Sequence, residues 1–282
     1  MSKPMTYAEF QALPQPPAPG PILAYGPDPL QHVELWKPAG KGPFPVVLML
    51  HGGCWQTAVA KADIMHAAAA DLMKRGIAVW NVEYRGVDVA GGGYPGTFED
   101  VAAAADILGR EGPKLGLDTK HVVAVGHSAG GHLALWLAGR PKIAKTSVLW
   151  SARPLPIVGV LSQGGLPDLA QAKAEAQEAC GVDAIDKLVG PPTATHPDVY
   201  ADTSPPRLLP LGPATMQILV AGEQDPISPP HFSKNYVDRW PKGDYGGLAI
   251  FGDAGHFELI TPTTAAWARQ VQHIDIMLGR KP

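Results

Sequence analysis

The segment HVVAVGHSAGGHLALWLAG, residues 121–139, decides the fold that the sequence predicts. Its first six residues are a short apolar run typical of a buried strand, and residues 129–139 are typical of a helix. Between them, Gly126-His127-Ser128-Ala129-Gly130 matches the pattern Gly-x-Ser-x-Gly. In such a turn the serine backbone is strained, and the two glycines relieve the crowding around it. The serine hydroxyl then stands at the carboxyl edge of the sheet and at a helix N-terminus, so the pattern predicts that Ser128 is a nucleophile.

Strand and helix patterns alternate on both sides of this segment. Further apolar runs predict strands over 44–50, 77–85, 157–162, 216–222 and 247–252, and a weakly alternating run predicts an edge strand over 32–38. Helices are predicted over 58–75, over 98–109 with a capping box at 97–100, and at the C-terminus, where Trp267, Val271, Ile274 and Leu278 repeat every three or four residues. This order predicts an α/β fold, with a doubly wound and mostly parallel sheet covered by helices on both faces.

Two regions interrupt the alternation. Residues 1–30 are rich in proline and predict an extended arm on the surface, ahead of one domain over 31–282. Residues 163–213 are partly helical and partly loop-like, and they stand between two core strands. An insertion of that size is commonly functional, and a cap over a pocket is the use we expect.

Composition narrows the class of protein. The chain has 282 residues, 45% of them hydrophobic, and a net charge of −3 without a basic cluster, which argues against nucleic acid as a partner. No run of eighteen apolar residues predicts a membrane helix, and the N-terminus lacks the apolar core of a signal peptide, so we expect a cytoplasmic protein. Cys54 and Cys180 have no metal-ligand spacing. A disulfide between them is possible, but it is not expected.

A serine nucleophile needs a base, and that base needs an orienting carboxylate. Among the ten histidines, His256 follows the last predicted strand, in a short loop at the carboxyl edge of the sheet. We expect His127 to be directed away by the turn and His132 to point into packing or solvent. Asp225 follows the neighbouring strand and can meet His256. Asp253 is the rival acid, although it is too close to His256 in sequence to reach behind the ring.

The segment HGGCW, residues 51–55, follows the predicted strand 44–50. Glycines there let the backbone curve toward the serine, and acyl transfer needs N–H donors for an oxyanion. We expect Gly53, Cys54 and Ala129 to supply them, and Trp55 to form a wall of the acyl pocket. The alternative is an ordinary tight turn with a core tryptophan.

These motifs resemble the α/β-hydrolase superfamily over roughly residues 32 to 280. HGGCW is similar to the HGGxW of kynurenine formamidases and related bacterial esterases, which GHSAGGHLA (126–134) and GGGYPGTFEDV (91–101) also resemble. The hormone-sensitive-lipase branch more often carries HGGG and GDSAGG, from which this chain departs at Cys54 and His127. The resemblance implies a Ser-His-Asp mechanism without a cofactor or metal.

The sequence thus predicts a hydrolase that cleaves a small acyl group from an ester or an N-formyl arylamide. Its partner is then a small-molecule substrate, and neither the natural substrate nor the oligomeric state follows from the sequence. An exopeptidase of the prolyl-peptidase type is one alternative, because residues 200–212 and 222–229 resemble that class. A binding protein that keeps the fold without turnover is another.

Overall fold

The structure is a computed structural model, and it describes residues 3–14, 16 and 20–281. The strands are β1 (Ile22–Ala24), β2 (His32–Trp36), β3 (Phe44–Leu50), β4 (Ala78–Val82), β5 (Leu117–His127), β6 (Ile157–Gln163), β7 (Met216–Gly222) and β8 (Tyr245–Phe251). The helices are α1 (Tyr7–Gln11), α2 (His66–Lys74), α3 (Gly96–Glu111), α4 (Ala129–Gly139), α5 (Leu169–Glu175), α6 (Gln177–Cys180), α7 (Ala184–Val189), α8 (Pro230–Val237) and α9 (Ala265–Met277). Short 3₁₀ turns cover Ala62–Met65, Gly112–Leu115, Arg140–Lys142, Pro205–Leu208 and Glu258–Ile260.

The eight strands form one sheet in the order β1-β2-β4-β3-β5-β6-β7-β8. The first two pairings, β1 with β2 and β2 with β4, are antiparallel, and the other five are parallel. Because the six parallel strands all end at the same edge, the loops that follow β3, β5, β7 and β8 lie side by side. The structure confirms the predicted doubly wound sheet.

Helices cover both faces of the sheet, so alternate residues of each strand enter different cores. In β3, Val46, Leu48 and Leu50 belong to one buried cluster, while Val47 and Met49 belong to the other. Buried residues of α3 and α4 join the first cluster, and buried residues of α2 and α9 join the second. A strand buried on both faces reads as a continuous apolar run, which is why the central strands were visible in the sequence.

Two helix boundaries differ from the predictions. Residues 58–61 are not helical, because the Asp88 carboxylate accepts the backbone N–H groups of Thr57 and Ala58 and holds them in a loop. The capping box predicted at 97–100 is wrong. Thr97 lies inside α3, and its hydroxyl donates to the Arg85 carbonyl.

The prediction of an extended N-terminal arm is wrong at residues 7–11, which form the helix α1. Thr6 and Glu9 form a capping box that starts α1, and Phe10 is buried. Farther along, β1 pairs with β2 at the edge of the sheet. The parts of the prediction that concern residues 1, 2, 15 and 17–19 lie outside the described residues.

The segment between β6 and β7 is tied covalently to the rest of the chain. It carries α5, α6 and α7, and Cys180 at the end of α6 forms a disulfide with Cys54, with 5.2 Å between their Cα atoms. The expectation of two unpaired cysteines is therefore wrong. A separation of 126 residues leaves no local signal of such a pair. Within the described residues, no helix combines the length and apolarity needed to span a bilayer.

Candidate active site

The turn between β5 and α4 holds Ser128 in an unusual conformation. Its φ is 55° and its ψ is −120°, a region that residues with a side chain rarely adopt. The flanking glycines are sterically required: a Cβ on Gly126 would lie 2.0 Å from the Gly130 carbonyl oxygen, and one on Gly130 would lie 2.2 Å from the Leu50 carbonyl oxygen. Strain that the surrounding packing maintains in this way is typical of functional positions.

Asp225 and His256 meet at the same edge of the sheet, in the loops after β7 and β8. His256 Nδ1 lies 2.6 Å from Asp225 Oδ2, and both side chains are buried. Burial raises the pKa of Asp225, but the neighbouring His256 and the backbone N–H groups of Ser228 and Ile227 outweigh it and hold that pKa below its usual value. The carboxylate is therefore ionised at neutral pH and only accepts hydrogen bonds, so Nδ1 carries the proton and Nε2 is left as a base. Asp253 is exposed, and His256 hydrogen-bonds to Asp225 instead.

His127 also contacts this pair, so the expectation that the turn directs it away is wrong. Its Nε2 donates to the His256 carbonyl oxygen over 3.1 Å, and the two imidazole rings are 4.4 Å apart. Burial and the adjacent His256 lower the pKa of His127 well below its usual value, so the ring is neutral. The serine pattern accepts any residue at this position, so only the packing of the loops could reveal the contact.

The loop after β3 has three consecutive residues with positive φ: Gly53 at 100°, Cys54 at 52° and Trp55 at 56°. Within the described part of the chain, no acceptor pairs with the backbone N–H groups of Gly53 and Cys54. Ala129 is the first residue of α4, where an N–H has no acceptor inside its own helix. Gly53 and Cys54 line the same cavity as Ser128, and Ala129 follows Ser128 directly, so the assignment of their N–H groups as oxyanion donors stays a prediction.

Buried polar contacts fix the start of that loop. His51 Nε2 lies 3.1 Å from Glu83 Oε1, and the imidazole stacks on Tyr84 at 4.2 Å. Glu83 also accepts the N–H of Ala62, which joins the loop to the segment before α2. Burial raises the pKa of Glu83, but His51 and hydrogen bonds from backbone N–H groups, such as that of Ala62, outweigh it and leave that pKa below its usual value. The carboxylate therefore serves the structure of the loop.

Trp55 does not form a wall of the pocket, contrary to the prediction. The side chain is fully buried in the main core, and Nε1 donates to His132 Nδ1 over 3.2 Å. His132 in turn donates from Nε2 to the Thr203 carbonyl, and burial lowers its pKa to about 4. The positive φ of Trp55 sends its indole inward, so the alternative of a core tryptophan is the one that the structure shows.

A cavity of about 170 Å³ opens beside Ser128 and His256. The described residues show no hydrogen bond between these two side chains, but both line the cavity. The other walls come from six separate parts of the chain and are mostly apolar: Tyr7; Gly53, Cys54, Val59, Ala60 and Ile64; His127; Ala179; Ile227; and Phe257. Among the described residues, no group of three His, Cys, Asp or Glu side chains could hold a metal ion.

Comparisons with solved structures show the same fold. The chain is similar to esterase B from Lactobacillus rhamnosis, with 20% identity, a TM-score of 0.78, and coverage of 96% of this chain and 91% of that one. A truncated carbohydrate esterase from gut microbiota has 18% identity and a TM-score of 0.71, over 92% of this chain and 95% of that one. An acetyl ester-xyloside bifunctional hydrolase from Caldicellulosiruptor lactoaceticus has 18% identity and a TM-score of 0.70, over 94% and 98% of the two chains.

No curated protein matches the sequence. A family model does: residues 33–239, which run from β2 to just after α8, match the BD-FAE model. That span includes the Ser128 turn, Asp225 and the segment between β6 and β7, and it stops before His256. The chain therefore belongs to the BD-FAE family.

Proposed function

We propose that the protein is a serine hydrolase that cleaves small acyl esters through Ser128, His256 and Asp225. The observation that carries the proposal is the buried His256–Asp225 pair at 2.6 Å, whose imidazole lines the same cavity as Ser128, a serine with a positive φ. An imidazole with a protonated Nδ1 and a free Nε2 is the form that can take a proton from a serine hydroxyl.

In the proposed reaction, Ser128 Oγ attacks the ester carbonyl while its proton passes to His256 Nε2. The ionised Asp225 stabilises the imidazolium through the Nδ1 hydrogen bond, and the N–H groups of Gly53, Cys54 and Ala129 donate to the oxyanion. His256 then protonates the leaving alcohol. Water then attacks the acyl-enzyme carbonyl while His256 takes one of its protons, and His256 returns that proton to Ser128 Oγ as the bond to the acyl group breaks and the acid leaves.

The cavity supports a small acyl group as the substrate class. Its volume of about 170 Å³ is below the roughly 300 Å³ at which drug-sized pockets begin, and most of its walls are apolar. The similar solved structures are described as an esterase, a carbohydrate esterase and an acetyl ester-xyloside bifunctional hydrolase, which supports ester cleavage. A formyl group needs still less space, so N-formyl arylamides belong in the same substrate panel.

The test is a turnover screen with p-nitrophenyl acetate through decanoate beside N-formylkynurenine. Ser128→Ala should lose on the order of 10⁶-fold in kcat, and a fluorophosphonate should label Ser128 in the wild type. Ser162→Ala is the matched control, because the Ser162 hydroxyl is also buried and close to α4 but has no hydrogen-bond partner among the described residues. It should keep near-normal turnover. Labelling at another serine, or normal activity in Ser128→Ala, would refute the mechanism.

A further inference from the structure

The short helix α1 contributes a wall of the proposed catalytic cavity. The Tyr7 ring lines the cavity and stacks on Phe257, the residue after His256, with 5.3 Å between ring centroids. On its other side, the Tyr7 hydroxyl donates to the Val59 carbonyl oxygen over 2.9 Å. Tyr7 thus bridges two walls of the cavity that are almost 200 residues apart in sequence.

Several further contacts hold α1 in this place. The backbone N–H of Met5 donates to Glu258 Oε1 over 2.6 Å, and the other oxygen of that carboxylate accepts the N–H of Gly255 over 3.0 Å. Phe10 is 3% exposed, and its ring also stacks on that of Phe257, with 5.4 Å between the ring centroids. Glu258 therefore ties the residues before α1 to the same loop that carries His256.

A second, larger concavity also borders Tyr7. This groove has a volume of about 530 Å³ and is lined by Phe10, Gln11, Lys61 and neighbouring residues. Tyr7, Val59, Ala60 and Ile64 line both the groove and the catalytic cavity, so they form the partition between the two. Of these four, Tyr7 has the largest side chain.

We propose that Tyr7 is a specificity-determining residue, which limits the length of the alkyl chain that the catalytic cavity accepts. The inference rests on the proposed esterase function. Removing the phenol ring joins the cavity to the groove, which gives a longer chain an apolar path beside Val59 and Ile64. Each methylene that gains a place in an apolar pocket raises kcat/KM by roughly 10-fold or more.

The experiment compares wild type, Tyr7→Ala and Tyr7→Phe on two ester series. One series varies the acyl group from p-nitrophenyl acetate to decanoate, and the other varies the alcohol from methyl to octyl acetate. In one of the two series, Tyr7→Ala should raise kcat/KM for a six- to eight-carbon chain at least 10-fold relative to the shortest ester of that series, which is p-nitrophenyl acetate or methyl acetate. The series that responds identifies which part of the ester lies against α1. Tyr7→Phe keeps the ring and loses only the hydroxyl, so its profile should stay close to wild type.

Tyr245→Ala is the control for loss of a tyrosine, since Tyr245 lies in the edge strand β8, is 52% exposed and lines neither concavity. Thermal unfolding checks that each variant is folded, and Tyr7→Val replaces Tyr7→Ala where the latter fails to fold. Unchanged length profiles in both series for a folded, active Tyr7 variant overturn the inference while leaving the esterase proposal intact. A wild type without turnover of any ester would instead defeat the proposed function.

Discussion

The cavity beside Ser128 has two halves that the chain builds in different ways. The proposed chemical groups Ser128, Asp225 and His256 follow β5, β7 and β8, so the parallel sheet brings them to one edge. Most of the other walls come from α1, from residues 53–64 and from the segment between β6 and β7, which lie outside the sheet, while His127, Ile227 and Phe257 lie within two residues of the proposed chemical groups. Strand order positions the first half, and individual packing contacts position the second.

The two halves also differ in how firmly they are held. Asp225 accepts two backbone N–H groups besides His256, and all of these partners are buried or nearly so. Among the walls, the segment between β6 and β7 (the insertion wall) is attached by a disulfide. The short helix α1 and the residue before it are attached by hydrogen bonds and ring contacts. Substitutions in the chemical half should therefore change kcat, and substitutions in the walls should change substrate preference or stability.

After the loss of the Ser128 hydroxyl, the largest effect is expected in the same half, at the orienting carboxylate. Asp225→Asn keeps the shape but replaces an acceptor by a group that no longer fixes the Nδ1–H tautomer of His256, so kcat should fall about 10⁴-fold. Asp253→Asn is the matched control, because Asp253 is three residues from His256 yet exposed and not hydrogen-bonded to it. Steady-state kinetics on p-nitrophenyl acetate measures both.

A large loss in Asp253→Asn with little loss in Asp225→Asn would show that the pairing seen here is not the working one. It would also break the comparison, because strand order would then no longer explain which groups act together.

The chemical half was predictable from the sequence for a physical reason. The Ser128 turn needs glycines at 126 and 130, and that requirement leaves a local pattern. The positions of Asp225 and His256 followed from strand order, because loops after parallel strands share an edge. The sheet itself was readable because strands buried on both faces form continuous apolar runs.

The walls were not predictable in the same way. Tyr7 contacts Phe257 and Val59, and Cys54 pairs with Cys180, through separations in sequence that leave no periodic or local signal. Trp55 follows the motif as expected, but its positive φ turns the indole into the core. Proline content suggested an extended arm, and the capping box of Thr6 and Glu9 with the burial of Phe10 overrides it at α1.

The next largest effect concerns the covalent attachment of the insertion wall. Replacing both partners, Cys54→Ser with Cys180→Ser, should lower the free energy of unfolding by about 2–5 kcal/mol, because the bond closes a long loop in the unfolded chain. Urea denaturation measures the change in the free energy of unfolding. Relative to the wild type, the double variant should show faster hydrogen exchange in residues 169–189, with a smaller change in α1. A reductant should destabilise the wild type and leave the double variant unchanged.

Equal stability with and without the bond would mean that the insertion is held by its other contacts, such as Gln56 Nε2 donating to the Cys180 carbonyl over 2.9 Å. The disulfide disagrees with the cytoplasmic location expected from the sequence, because disulfides persist in oxidising compartments and are rare in the cytosol. The redox state of the two cysteines in protein purified without reductant, read by thiol alkylation and mass spectrometry, decides between them.

The smallest effect is expected at Trp55, which separates a core role from a wall role. Trp55→Phe removes the indole N–H and leaves His132 Nδ1 as a buried acceptor without its donor, which costs about 1–3 kcal/mol. It also leaves a small void in the core, but it leaves the cavity beside Ser128 untouched, because Trp55 does not line it. The free energy of unfolding should therefore fall while the acyl-length profile stays that of the wild type, the reverse of Tyr7→Ala. A shifted length profile with unchanged stability would return Trp55 to the pocket wall. It would also show that the side chain of Trp55 faces the catalytic cavity and not the core.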